Sequence, residues 1–134
     1  MTRGPDNGSR ELASKAIKLA AEKKAQDMRL LEVGKVSIIA DYFIIGTGGT
    51  AVQVHAICDH LIENLKKSGH YASRIEGYRE GWWVILDYGS VVIHIFQPES
   101  RDFYDLERLW TEAPKLDLED DEGASFLTNK AHDR

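Results

Sequence analysis

The sequence contains a single cysteine, Cys58, and no long uninterrupted apolar run. One cysteine cannot form an internal disulfide, and its place on the apolar side of a predicted helix favours a core residue in a reducing compartment over a catalytic nucleophile. No stretch approaches the roughly 18 apolar residues that a membrane-spanning helix needs. The first residues lack both the apolar core of a secretory signal and the arginine-rich, acid-poor composition of a transit peptide. These features predict a cytoplasmic protein without membrane contact.

An excess of positive charge is also missing, since 17 Lys and Arg residues face 22 Asp and Glu residues and give a net charge of −5. Such a chain is not expected to bind nucleic acid through a broad phosphate-neutralising surface. It can still be steered towards a basic protein. At 134 residues, 43% of them apolar, the chain suits one domain with a single core.

The spacing of apolar residues alternates between helical and strand periods, which predicts an α/β domain. Residues 1–8 are predicted to form a flexible arm, residues 9–113 the domain and residues 114–134 an acidic, disordered tail. The predicted helices cover residues 10–25, 50–68 and 99–113, and the predicted strands cover residues 28–33, 42–47, 71–76, 82–87 and 91–96. This pattern predicts a mixed five-stranded sheet with helices mainly on one face.

The stretch DYFIIGTGGTAVQ, residues 41–53, organises the rest of the chain. A short apolar strand runs into a glycine-rich turn, and Thr50 and Gln53 have the spacing of a capping box at the start of a helix. Free amides at a helix start can hold an anion. Glycines in such a turn more often serve a sharp reversal and close packing of the strand on the helix, and we favour that interpretation.

Two β-rich runs separated by Tyr88-Gly89 predict a hairpin. A two-residue loop places Trp83 opposite His94 and Ile85 opposite Val92. One face of this hairpin, which includes Trp82, is then purely apolar and belongs against the helices. The other face is mixed, with aromatic and aliphatic side chains around Asp87 and His94. Exposed surface of this kind is typical of a protein-binding site, unless the C-terminal helix or the tail covers it.

A catalytic constellation is harder to find. Nucleotidyltransferases hold two metal ions on closely spaced carboxylates, because both the attacking and the leaving oxygen need stabilisation. Here the strand after the second predicted helix offers only Glu76, and the sequence does not show that Asp41 and Asp87 converge on it. The sequence has no P-loop, paired-cysteine metal site or nucleophile elbow. No catalytic residue, metal or cofactor is therefore predicted, and a metal-dependent nucleotidyltransferase-like enzyme is the alternative.

Four colinear blocks within residues 9–113 resemble the ribosomal silencing factor family, also called Iojap. The blocks are DYFIIGTGGTAVQV at 41–54, EG at 76–77, WVILDYGSVVIHIF at 83–96 and ESRDFYDLERLW at 99–110. The resemblance implies a nucleotidyltransferase-like fold without known transferase activity. It also implies binding to a conserved protein of the large ribosomal subunit, large-subunit protein fourteen, at the intersubunit face. Small-subunit joining would then be blocked and translation repressed when nutrients are scarce.

The family's characteristic residues are carried over position by position. The positions that match the family pattern are Asp41, Thr47, Gly48, Glu76, Gly77, Trp83, Asp87, Gly89, His94, Arg101, Tyr104, Leu106, Glu107, Leu109 and Trp110. Gly49 stands where the family often has serine, so no hydroxyl-dependent role is expected there.

A surface of seven residues is predicted to bind the partner. Its members are Asp41, Glu76, Trp83, Ile85, Asp87, His94 and Phe96. Carboxylates of this set would complement a basic partner. Trp83 is predicted to be an exposed anchor, important for binding and of little importance for folding. An apolar face that waits for a partner also predicts a homodimer when the protein is free.

Overall fold

The computed structural model describes residues 7–116 and residue 118, and within them it shows a mixed sheet with helices on both faces. The elements are α1 (Asn7–Glu22), β1 (Gln26–Leu31), a 3₁₀ turn (Val33–Lys35), β2 (Tyr42–Thr47), α2 (Ala51–Lys67), β3 (Arg74–Glu76), β4 (Trp83–Asp87), β5 (Val91–Phe96), α3 (Pro98–Tyr104), α4 (Leu106–Leu109) and β6 (Lys115–Leu116). No helix in this part of the chain has the length and apolar character needed to cross a membrane.

The strand order is β3-β4-β5-β2-β1-β6, with β2 and β5 parallel and the other neighbours antiparallel. The prediction of a mixed sheet is confirmed, but the described residues form six strands rather than five. The additional strand, β6, lies in the predicted disordered tail and pairs with the end of β1. It is held there because the Glu32 amide donates to the Pro114 carbonyl at 2.9 Å. The predicted tail thus begins with a short strand, and its residues 117 and 119–134 lie outside the described part.

Helix α1 begins at Asn7, within the predicted arm, and residues 1–6 of that arm lie outside the described residues. Together α1 and α2 cover the inner face of the sheet. The apolar stripe predicted for α2 is buried, and it packs on alternate strand residues such as Val84, Leu86 and Ile93. In α1 the contact positions include Ala16 and Ala20, whose small side chains let the helix approach closely.

The predicted cap of α2 is confirmed, with one difference. The Gln53 amide donates to Thr50 Oγ1 at 3.1 Å, and Gln53 Oε1 accepts from the Gly49 amide at 2.7 Å rather than from Thr50. The Gln53 side chain also donates to the Lys24 carbonyl at 3.1 Å and so ties the start of α2 to the turn that follows α1. A Cβ at Gly48 would lie 2.9 Å from the Val54 amide nitrogen, which supports the steric interpretation of the glycine turn.

The β4–β5 hairpin has a longer loop than predicted. Tyr88 donates its amide to the Val91 carbonyl, and the Gly89 amide bonds to Asp87 Oδ1 at 2.8 Å, which draws Ser90 into the loop. The pairs are therefore Trp83 with Phe96, Ile85 with His94 and Asp87 with Val92. The predicted register was wrong by two residues. Because side chains alternate with a period of two, every residue of β4 and β5 keeps its predicted face.

Trp82 does not lie on the inner face as predicted, since β4 begins one residue later and Trp82 is 41% exposed.

The C-terminal segment breaks at Asp105, which adopts a left-handed conformation with φ 47°, so the predicted single helix becomes α3 and α4. The residues after the break turn onto the outer face of the sheet. Leu106, Trp110 and Ala113 pack there with Leu31, Phe43, Ile45 and Phe96. The two long helices, α1 and α2, therefore share one face as predicted, and this shorter segment covers part of the outer face.

Candidate protein-binding surface

Five of the seven predicted partner-binding residues lie on β4 and β5 and share the outer face. These are Trp83, Ile85, Asp87, His94 and Phe96. Glu76 lies beside Ile85 on the edge strand β3, so the sheet brings six of the residues together. Asp41 lies just before β2, where its amide donates to the Ser90 carbonyl at 2.8 Å. It is at the end of the sheet rather than on the same patch.

Three of the seven residues are buried. Phe96 is fully buried, His94 is 5% exposed and Asp41 is 3% exposed. Phe96 packs in the cluster that also contains Leu106 and Ala113 of the covering segment (residues 106–113), and the His94 ring lies 4.8 Å from that of Phe43, a member of the same cluster. A partner that approaches this surface meets the covering segment rather than the rings of Phe96 and His94. The alternation of the strands predicted the face of these residues, and it carries no information on what covers that face.

The part of the outer face that stays uncovered runs along β3, β4 and the start of β5, and we call it the open strip. The open strip consists of Glu76, Trp83, Ile85, Asp87 and Val92. Glu76 is exposed and the other four are half-buried. It presents aliphatic and aromatic area together with two carboxylates, a composition typical of protein interfaces.

Arg74 is the cation that faces these carboxylates. Its guanidinium lies 3.3 Å from Glu76 Oε2 and 3.5 Å from Asp87 Oδ2. The arginine side chain is 64% exposed, so each pair contributes little to the stability of the fold. Two carboxylates that share one arginine leave the strip with a net negative charge, which favours a basic partner.

Trp83 is held in place by three side chains. Its ring lies 4.9 Å from that of Phe96 in a stacked arrangement and 4.8 Å from the ring of Tyr104. Its indole N–H donates to His94 Nδ1 at 3.2 Å. Trp83 is therefore a half-buried, oriented wall of the open strip rather than the freely exposed anchor that the sequence predicted.

His94 fixes the orientation of the Trp83 indole, and its own ring is neutral. Burial lowers its pKa to about 4, and the Asp87 carboxylate only partly opposes that effect. Because Nδ1 accepts from Trp83, the ring proton belongs on Nε2. Within the described residues, Nε2 is buried without a hydrogen-bond partner. The geometry suits a packing and positioning role.

Sequence reasoning missed the exposed apolar residues of the C-terminal helices. Phe103 and Leu109 are apolar positions of the predicted last helix, and they are 78% and 75% exposed. Tyr104, the third member, contacts both Phe103 and Trp83 and so connects this group to the open strip. One feature of the sequence could have indicated this exposed group. Tyr104 is an aromatic residue at a position that matches the family pattern.

The arrangement of the carboxylates does not favour the nucleotidyltransferase alternative. No group of three potential metal ligands is found among the described residues. A charged cleft of about 560 Å³ lies at the carboxyl ends of β2 and β5, but none of the three predicted carboxylates lines it. In that cleft Arg101 is held by Thr47 Oγ1 at 2.7 Å and by both oxygens of Glu107. These bonds lower the pKa of the Glu107 carboxyl and account for the position of α4.

Comparison with known proteins shows a match to one protein family. The model of the family described as ribosomal silencing factor during starvation matches residues 6–134. The ribosomal silencing factor RsfS of Halalkalibacterium halodurans is 38% identical over 111 residues, which cover 83% of this chain and 95% of the relative. RsfS of Bacillus subtilis is 37% identical over 107 residues, or 77% of this chain and 91% of the relative. A crystal structure of a Chromobacterium violaceum protein superposes with a TM-score of 0.74 at 33% identity, over 76% of this chain and 85% of that one.

Proposed function

The chain belongs to the ribosomal silencing factor family, and from that premise we propose that it binds the large ribosomal subunit and blocks association with the small subunit. The proposed contact is large-subunit protein fourteen, a conserved protein of the intersubunit face. Occupation of that face leaves no room for the small subunit, so translation falls when nutrients are limiting. The protein acts in the cytoplasm by binding alone, without a cofactor or catalysis.

The open strip is the observation that carries this proposal. It lies within the family match, and it combines the half-buried indole of Trp83 with aliphatic area and two carboxylates. Aromatic residues near the centre of an interface contribute most of the binding energy, and neighbouring contacts exclude water around them. Ribosomal proteins are basic because they bind RNA, so the negative charge of Glu76 and Asp87 favours such a partner electrostatically.

Co-sedimentation with isolated large subunits tests the proposal. Glu76→Lys reverses a charge on the open strip, and Glu63→Lys reverses one on α2 at the opposite side of the sheet. The two glutamates are matched because both are exposed and each pairs with a neighbouring cation. We expect the parent protein and the Glu63 variant to bind alike and to inhibit subunit joining, whereas Glu76→Lys lowers the affinity at least about tenfold. Failure of the parent protein to bind, or equal binding by all three, contradicts the proposal.

We also propose that the free protein forms a homodimer through the open strip and the exposed residues beside it. Isologous pairing would remove this apolar surface from water until a ribosome is available. Dimerisation and subunit binding would then compete. Analytical ultracentrifugation at rising protein concentration, with and without large subunits, measures this. A dimer that binds subunits while remaining intact contradicts the competition.

A further inference from the structure

A small notch lies beside the open strip, at the junction of the β3–β4 turn with α3. It has a volume of about 240 Å³ and is lined by Gly77, Glu80, Trp82, Trp83 and Tyr104. Three of these five residues are aromatic, and the charged one is a carboxylate. Trp83 belongs both to the notch and to the open strip, so the two surfaces are continuous.

The walls of the notch are fixed before any ligand arrives. The Trp82 carbonyl accepts hydrogen bonds from the Gln97 amide at 3.0 Å and from Ser100 Oγ, and these hold the Trp82 backbone against the start of α3. Gln97 Nε2 also donates to the Gly81 carbonyl at 2.8 Å. A preformed site avoids the entropic cost of ordering its side chains on binding.

Gly77 makes the floor of the notch possible. Its φ is +76°, and a Cβ there would lie 2.1 Å from the Trp83 carbonyl oxygen. Any other residue would therefore push β4 away from the turn and move the Trp83 wall. The structural reason for glycine at this position is the close approach of two backbones.

The side chains of the notch are complementary to a cation. Trp82 is 41% exposed and Tyr104 is 45% exposed, so ring surface is available to a ligand. Ring faces attract a cation, and tryptophan does so most strongly. Glu80 forms no ion pair or hydrogen bond with its side chain among the described residues, so its carboxylate is open to a counter-ion from outside. The neighbouring cation Arg79 does not line the notch.

We propose that the notch binds an arginine side chain of the protein partner. A planar guanidinium stacks on aromatic rings and pairs with a carboxylate at the same time, which a lysine ammonium does less well. The carboxylate of Glu80 also disfavours a nucleotide, whose phosphate it would repel. This assignment rests on the proposed function for the identity of the partner, but the chemistry of the notch is testable without it.

The direct test is an NMR titration of the three indole N–H signals with N-acetylarginine amide. N-acetylcitrulline amide is the matched control, since it has the same shape without the charge. We expect the arginine compound to shift the signals of Trp82 and Trp83 but not that of Trp110. We expect the citrulline compound to have no effect and Glu80→Gln to weaken the response at least about threefold. Equal shifts with both compounds, no shifts, or larger shifts with adenosine monophosphate overturn the assignment.

Binding to large subunits gives the second test and separates the two proposals. Glu80→Gln and Trp82→Leu should each lower the affinity about tenfold, while Trp82→Phe, which keeps a ring face, and Glu63→Gln should bind like the parent protein. If the parent binds and neither notch variant is weaker, the notch assignment is wrong and the proposed function stands. If the parent fails to bind subunits but the arginine titration succeeds, the proposed function is wrong and the arginine site stands.

Discussion

Acidification should weaken the fold through His94. The ring is buried between Phe43 and Trp83, with ring centroids 4.8 and 6.1 Å away. Burial lowers its pKa to about 4 from an ordinary value of 6.5, and the unfolded chain regains the ordinary value. The unfolded state therefore binds more protons between these two values. The free energy of unfolding should consequently fall as the pH drops from about 6.5 towards 4, and should not depend on His94 above about pH 7.

The size of the effect follows from the two pKa values. They differ by about 2.5, and each pKa unit corresponds to about 1.4 kcal/mol, so the full effect is about 3.5 kcal/mol. At pH 4 the ring of the folded protein is half protonated, which reduces the cost there to about 3 kcal/mol. A domain of this size is stable by only about 5–15 kcal/mol, so the loss is easily measured. Protonation would also remove the acceptor of the Trp83 indole N–H and loosen the wall of the open strip.

Urea unfolding of the parent protein and of His94→Gln, from pH 7.5 to pH 4, measures this cost. Glutamine can accept from the Trp83 indole and cannot be protonated in this range. Carboxylates such as Glu107 titrate in both proteins and cancel in the difference. We expect the stability of the parent to fall by about 3 kcal/mol more than that of the variant. Parallel curves, or a His94 ring signal that titrates near pH 6.5 in the folded protein, would refute the reasoning.

Two further predictions concern the backbone at Gly77 and the thiol of Cys58. Gly77→Ala should lower the free energy of unfolding by about 3 kcal/mol in urea titrations. The positive φ of Gly77 disfavours alanine, and the added Cβ would clash with the Trp83 carbonyl oxygen. Gly89→Ala, where φ is also positive but the space is open, should cost only about 1 kcal/mol, and equal costs would contradict the clash. Cys58, whose thiol pKa burial raises to about 12, should react with a disulfide reagent at pH 8 only in denaturant. Rapid reaction of the native protein would contradict that burial.

Local signals predicted the centre of the fold. The bounds of β2 agree with the sequence prediction, because a β-branched and aromatic run closed by glycines depends little on the rest of the chain. The capped start of α2 follows from Thr50 and Gln53 for the same reason. Period-two alternation also assigned the faces of β4 and β5 correctly, although the loop length was wrong.

Long-range contacts account for what the sequence did not predict. The break at Asp105 is linked to the bonds that Arg101 makes with Thr47, 54 residues away, and with Glu107. The sequence alone favoured one continuous helix over residues 99–113. The pairing of β6 likewise depends on β1, at the far end of the chain, and two residues are too short to carry a strand pattern.

Because residues 106–113 cover only part of the outer face, Trp83 contributes both to the stability of the fold and to the proposed binding surface. The free domain must bury Phe96 and His94, whereas the proposed partner needs oriented aromatic area at the surface. The fold meets both needs by leaving Trp83 half-buried, with its indole fixed by His94, Phe96 and Tyr104. Truncation of Trp83 therefore removes core contacts as well as binding area, so it does not separate the two roles as the sequence suggested. The exposed carboxylate of Glu76 carries little of the fold, so Glu76 is the position at which the proposed binding should change without a loss of stability.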